Sequence, residues 1–147
     1  SFHNLHRRVA VCDFSESLEH QAYGASDFIL MPSRFEPCGL PQMIAPLYGS
    51  LPVVHDTGGI HDTISHIDVE NSHGNGFVFE TYDANGLWWA INEAMRFYRQ
   101  PVDERNTQIE RIMQESAGTF THAATARRYI ELYERMLQRP LISASPY

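Results

Sequence analysis

The sequence predicts an α/β fold built on a parallel sheet. Three observations carry that expectation. Short apolar runs alternate with amphipathic stretches along the chain. Two of the runs, DFILMPS and LPVVHD, are continuously apolar, the pattern of strands covered on both faces. Each is followed by a polar or glycine-containing turn that leads into a helical pattern, the order expected of strand–helix units with parallel strands.

Taken in order, RVAVCDF reads as a first strand. SESLEHQAYGAS reads as a helix capped by Ser15, with Leu18, Ala22 and Ala25 inward. DFILMPS is the second strand and GLPQMIAPLYGS a short helix, in which Pro46 removes a backbone donor and should bend the axis. LPVVHD is a third strand. The polar stretch SHIDVENSHGNG reads as a surface loop, and GFVFE as a fourth strand. Asp83 can cap the helix ANGLWWAINEAMRFYR, whose Leu87, Trp88, Ile91, Met95 and Tyr98 share one face; that spacing assigns Trp88 to the core. Two more helices fall within 103–139, and the tail RPLISASPY reads as frayed.

At 147 residues the chain suffices for one core. The formal charge of −7 disfavours nucleic acid and anionic membranes as partners. All 11 basic residues are arginine, which excludes a P-loop or Schiff-base lysine within these residues. No apolar run approaches the roughly 20 residues that span a bilayer. Cys12 and Cys38 form no CxxC, consistent with reduced thiols and a cytoplasmic location. The opening SFHNLHRRVAVC runs directly into a strand, as though the chain starts inside a domain.

In such folds ligands bind beyond the carboxyl ends of the strands, which directs attention to three segments: 13–15, 33–40 and 55–60. In the second, Pro32 ends a strand, Gly39 permits close backbone approach, and Pro41 suits the first turn of a helix. The N–H groups of Cys38, Gly39 and Leu40 then form a donor cluster suited to phosphate or sugar oxygens. Glu36 is an acceptor beside these donors, able to hold hydroxyl groups. Thr57, Gly58, Gly59 and Ile60 repeat the device. A plain loop carboxylate paired with Arg34 is the competing reading of Glu36. Cys38 has no neighbouring histidine base that would make it a nucleophile. His55, His61, His66 and His73, with Asp56, Asp62 and Asp68, fit no metal-ligand spacing and read as solvated loop residues, so neither a metal nor a cofactor is expected.

SDFILMPSRFEPCGLPQ, YGSLPVVHDTGGIHDTI and NGFVFETYDANGLWWAINEAM together resemble the bacterial glycogen synthase and plant starch synthase family. The resemblance covers nearly the whole chain and is loosest in the first ten residues and the last two helices. It implies the distal half of the C-terminal Rossmann domain of a two-domain (GT-B) retaining glycosyltransferase. Such enzymes move glucose from ADP-glucose to the non-reducing end of an α-1,4-glucan. By the family pattern Glu36 is the catalytic-site carboxylate that meets the donor glucose hydroxyls. Cys38, Gly39 and Leu40, with Arg34 nearby, line the sugar and phosphate site. Thr57, Gly58 and Gly59 lie beside the phosphates, and Phe14 stands where a tyrosine stacks on adenine.

The sequence departs from the family at several of these places. Pro41 replaces a common Thr or Asn, Ile44 a common tyrosine, and HDTGG a common RRTGG, which bears on nucleotide preference. The family's arginine and lysine for the leaving diphosphate, and its acceptor site, would come from an N-terminal part of the protein. The chain alone is therefore expected to be inactive. A UDP- or GDP-sugar transferase and a non-catalytic nucleotide- or glucan-binding module are the alternatives. Strand order 3-2-1-4-5-6 would leave RVAVC and FILM without the strands between them, so direct pairing or a strand-exchanged homodimer is expected.

Overall fold

A computed structural model gives the fold for residues 15–141, together with Val9 and Asp13. Apart from Val9, the segment RVAVC falls outside the described residues, as does Phe14, and with them the expectations about strand pairing, strand exchange and adenine stacking. The described elements are α1 (Glu16–Ala25), β1 (Phe28–Met31), α2 (Pro41–Ile44), a 3-10 turn (Ala45–Tyr48), β2 (Leu51–His55), α3 (Gly59–Thr63), β3 (Phe77–Phe79), α4 (Ala84–Tyr98), α5 (Val102–Thr119) and α6 (His122–Leu137). No helix among them is long and apolar enough to cross a membrane.

The strands pair in parallel in the order β1-β2-β3, with Leu30 opposite Val53 and Val53 opposite Phe77. This is the strand–helix alternation read from the sequence. β2 lies in the middle and all five of its residues are buried, which is why LPVVH carries no exposed polar position. Its side chains divide by the two-residue period of a strand. Leu51 and Val53 join Phe77, Phe79, Ala90, Ala94 and Phe97 in one cluster against α4, while Val54 joins Ile60 and Ile64 in another.

α4 begins as expected: the Asp83 carboxylate accepts from the Gly86 N–H at 2.7 Å, satisfying one of the helix's free donors. Its buried face differs from the expected one. Ala90, Ala94 and Phe97 are inward, with Leu87 and Ile91 packed against them, and Trp88 is 65% exposed. The small alanines let the helix approach the sheet closely, which leaves no room beneath it for an indole and turns Trp88 out onto the flank. Trp89, half exposed, stacks on His66 with ring centroids 5.2 Å apart.

α1 is also turned relative to expectation. Ser15 stands at the N-cap position without a capping bond, and Leu18, Ala22 and Ala25 are exposed. Tyr23 is the buried residue instead, because its ring packs beside Tyr48 while its hydroxyl donates to Glu19. β1 is not covered on both faces among the described residues, since Leu30 is 51% exposed. Pro46 acts as expected: the helix gives way to 3-10 geometry at Ala45 and stops at Gly49, which adopts φ +82°.

Two histidines are structural rather than solvated. His55 ends β2 and is buried, and its ring nitrogen Nδ1 donates to the Ser33 carbonyl at 2.8 Å. Nδ1 of the half-buried His66 accepts the Val78 N–H at 3.1 Å, so an otherwise unpaired donor of β3 is satisfied. His61 does lie at the surface, paired with Asp56 at 2.7 Å. Among the described residues no group of three or more potential metal ligands comes together.

Candidate functional site

The carboxyl ends of the three strands converge on one rim. Loop 32–40 leaves β1, loop 56–58 leaves β2, and Glu80 follows β3. The rim is laced across the sheet: His55 donates to Ser33, and the Asp56 N–H donates to the Phe79 carbonyl at 2.9 Å. A cavity of about 320 Å³ opens at this end, lined by Pro32, Phe79, Tyr82, Asp83 and Leu87, but Glu36 and the Gly39 turn lie outside its wall.

The two glycine-bearing turns interlock. The Gly59 N–H donates to the Glu36 carbonyl at 2.9 Å. A methyl group at Gly58 would fall on that same carbonyl oxygen, and one at Gly59 on the carbonyl of Cys38. Gly58 also adopts φ +49°, a region that side-chain-bearing residues rarely enter. Thr57-Gly58-Gly59 is thus required by its contact with Glu36-Pro37-Cys38, whatever ligand either turn meets.

Gly39 has φ +72°, and the place where its Cβ would stand is filled by the Gln42 carboxamide. Gln42 is fully buried, and its Nε2 donates to the carbonyls of Cys38 at 2.9 Å and Gly39 at 3.1 Å. No protein acceptor among the described residues takes the N–H of Cys38, Gly39 or Leu40. These donors belong to a turn. α2 is a single turn of α-helix running into 3-10 geometry, so its dipole adds little to these donors.

Glu36 is half-buried, and its carboxylate accepts from the Ser33 hydroxyl at a long 3.4 Å. Among the described residues it forms no ion pair with Arg34, which is exposed. Cys38 is an exposed free thiol. The structure therefore brings Glu36, Cys38, Gly39 and Leu40 together with Thr57, Gly58 and Gly59, and leaves Arg34 at the edge of the same loop. Sequence reasoning missed Ser33, His55 and Gln42. The spacing of Gln42 four residues after Cys38, at the start of a helix, was the available signal for the last.

His61 shows the clearest electrostatic effect near the rim. Its hydrogen bond to Asp56, and the charge of that carboxylate, raise its pKa above the ordinary value, with a smaller contribution from Asp62. Asp56 of this pair directly precedes Thr57.

No family model matches the chain. Individual proteins do. A glycogen synthase of Bacillus cytotoxicus is 42% identical over 125 residues, 85% of this chain and 25% of the relative. A glycogen synthase of Geobacillus stearothermophilus is 42% identical over 127 residues, covering 86% and 25%. Among solved structures, the catalytic domain of starch synthase IV from Arabidopsis thaliana, bound to ADP and acarbose, superposes with a TM-score of 0.75 at 37% identity. That match spans 88% of this chain and 26% of the starch synthase chain. A sucrose-phosphate synthase from Thermosynechococcus elongatus, at 24% identity and a TM-score of 0.66, shares the fold. The chain thus spans about a quarter of the length of the curated relatives it matches. Over that quarter it is similar in sequence to glycogen synthases and in sequence and fold to a starch synthase.

Proposed function

We propose that residues 1–147 form the distal half of the donor-binding C-terminal domain of a retaining glucosyltransferase. The donor is ADP-glucose and the acceptor the non-reducing end of an α-1,4-glucan. The observation that carries this reading is the set of unspent N–H groups at Cys38, Gly39 and Leu40 beside the half-buried Glu36 carboxylate. Donors and an acceptor side by side suit the two ends of a sugar diphosphate, whose phosphate accepts hydrogen bonds and whose glucose hydroxyls donate them. The similarity to a starch synthase structure holding ADP and acarbose supports the same assignment.

In this reading Glu36 holds the glucose hydroxyls near the reacting carbon. Cys38, Gly39 and Leu40 meet sugar and phosphate, with Arg34 at the loop's edge, and Thr57, Gly58 and Gly59 support the diphosphate. Phe14 stacks on the base. As the glycosidic bond to the diphosphate breaks, negative charge grows on the departing phosphate, and amides already aimed there stabilise it without rearrangement. Because Pro41 has no N–H, this row of donors stops at Leu40. The remaining positive charge must come from other parts of the protein.

A second reading, a donor other than ADP-glucose, is favoured by Asp56, an acidic residue next to Thr57 where the family that the sequence resembles commonly has arginine. Calorimetric titration tests both. The expected result is that ADP and ADP-glucose bind the chain, with UDP and GDP weaker. Tighter binding of UDP or GDP would favour the second reading, and no binding of any nucleotide would overturn both.

A further inference from the structure

We infer that Gln42 is a positioning residue that aims the peptide N–H groups of Gly39 and Leu40 outward, toward the anionic oxygens of a nucleoside diphosphate. The inference rests on the donor-site reading above and assigns a role to a residue that reading does not use. The Cys38 carbonyl shares a peptide with the Gly39 N–H, and the Gly39 carbonyl with the Leu40 N–H. Every described peptide is trans, so in each the C=O and N–H point opposite ways. Gln42 Nε2 draws both carbonyls toward itself, at 2.9 and 3.1 Å, and the two N–H groups thereby point away from the carboxamide, that of Leu40 at an exposed residue and that of Gly39 at a buried one.

Two further features support the assignment. Nε2 also lies 3.5 Å from the Thr63 hydroxyl, and that hydroxyl donates to the Gly59 carbonyl at 2.7 Å. One carboxamide is thus tied to both glycine turns. Its other atom, Oε1, is buried with no hydrogen-bond partner. A side chain kept only for packing would carry no such orphan acceptor, whereas one kept for its two donors at this spot must place its oxygen somewhere. A polar residue with this arrangement fits a holder of backbone orientation. Gly39 completes the device, because any side chain there would displace the carboxamide.

The test uses Gln42→Glu and Gln42→Met. The carboxylate of the first presents only acceptors, repels the two carbonyls and favours peptides flipped so that their N–H groups face inward. The second removes the donors without adding charge. ADP affinity, measured by calorimetry, should fall by about tenfold to a hundredfold in Gln42→Glu and by a smaller factor in Gln42→Met, as charge-assisted hydrogen bonds are lost. The affinity for adenosine, which lacks phosphate, should change less than about twofold in the same proteins. Equal losses for ADP and adenosine, or unchanged ADP binding in a folded variant, would overturn the inference while leaving the donor site in place. Failure of the unsubstituted chain to bind ADP would remove the donor site itself and the inference with it. Should both substitutions unfold the chain, the unsubstituted protein decides. Saturating ADP must shift the backbone amide resonances of Gly39 and Leu40 in a nitrogen-15 spectrum, and resonances that stay in place would refute the assignment.

Discussion

The Gly59 N–H donates to the carbonyl of Glu36 across 2.9 Å, so the turn after β2 is fastened to the turn after β1 at the residue assigned to the sugar. The turn after β2 has Gly58 and Gly59 where the backbone of the other turn passes. Binding geometry at Glu36 is therefore set partly by residues more than twenty positions away along the chain.

Substitution of these glycines should separate contact from conformation. Gly59→Ala places a methyl group against the Cys38 carbonyl and should destabilise the chain by about 1–3 kcal/mol while weakening ADP binding. Gly118→Ala is the control. Nothing lies within 4 Å of its added carbon, and in the last turn of α5 it should stabilise by up to about 0.5 kcal/mol. Urea unfolding of both variants checks the signs, and a stabilising Gly59→Ala would refute the interlock.

Glu36→Gln should spare the fold, because the carboxylate makes only the long bond to Ser33. In a synthase-length polypeptide carrying this segment, it should lower affinity for ADP-glucose by about tenfold to a hundredfold, the worth of one or two charged hydrogen bonds. ADP lacks the glucose, and its affinity should scarcely move. Equal effects on both ligands would place Glu36 away from the sugar.

The 147-residue chain on its own should elongate no glucan, because it spans about a quarter of its relatives' length and the proposed function assigns the acceptor site and the cations for the leaving diphosphate to residues outside it. Incorporation of labelled glucose into glycogen by the purified chain would contradict the division of labour proposed here.

The core makes a stability prediction that inverts the sequence expectation for α4. Phe97→Ala should cost about 3–5 kcal/mol, since its ring is buried against Phe77. Trp88→Ala should change stability by no more than about 0.5 kcal/mol. Chemical denaturation of the two variants measures the contrast directly.

The fold was legible because its strands are continuous apolar runs, and their glycine turns fall where strands end. The flank positions were not. Helical spacing places Trp88, Ile91, Met95 and Tyr98 on one face, but the closeness of Ala90 and Ala94 to the sheet decided which side of α4 was buried. In α1 a tyrosine displaced the aliphatic residues because its hydroxyl had Glu19 as a partner. At the site, Glu36 and the glycines could be named from their pattern. Gln42 and His55 could not, because their value lies in carbonyls that only the folded chain brings to them.

The surface pair beside the rim gives a pH signature. Because Asp56 raises the pKa of His61 above its ordinary 6.5, the pair contributes stability that is fully present below that value. The contribution is lost as the pH rises through the higher folded midpoint. A proton NMR titration should show His61 titrating above a reference histidine, and Asp56→Asn should move it back toward the ordinary value. An unshifted His61 in the parent chain would rule out the pairing.

The lacing of the sheet's carboxyl edge, with His55 reaching back to Ser33 and Asp56 forward to Phe79, bears on how fast a ligand is captured. Walls held in place before arrival leave no slow isomerisation to await. Stopped-flow traces of nucleotide capture should follow a single exponential whose rate climbs linearly with ligand concentration and shows no plateau.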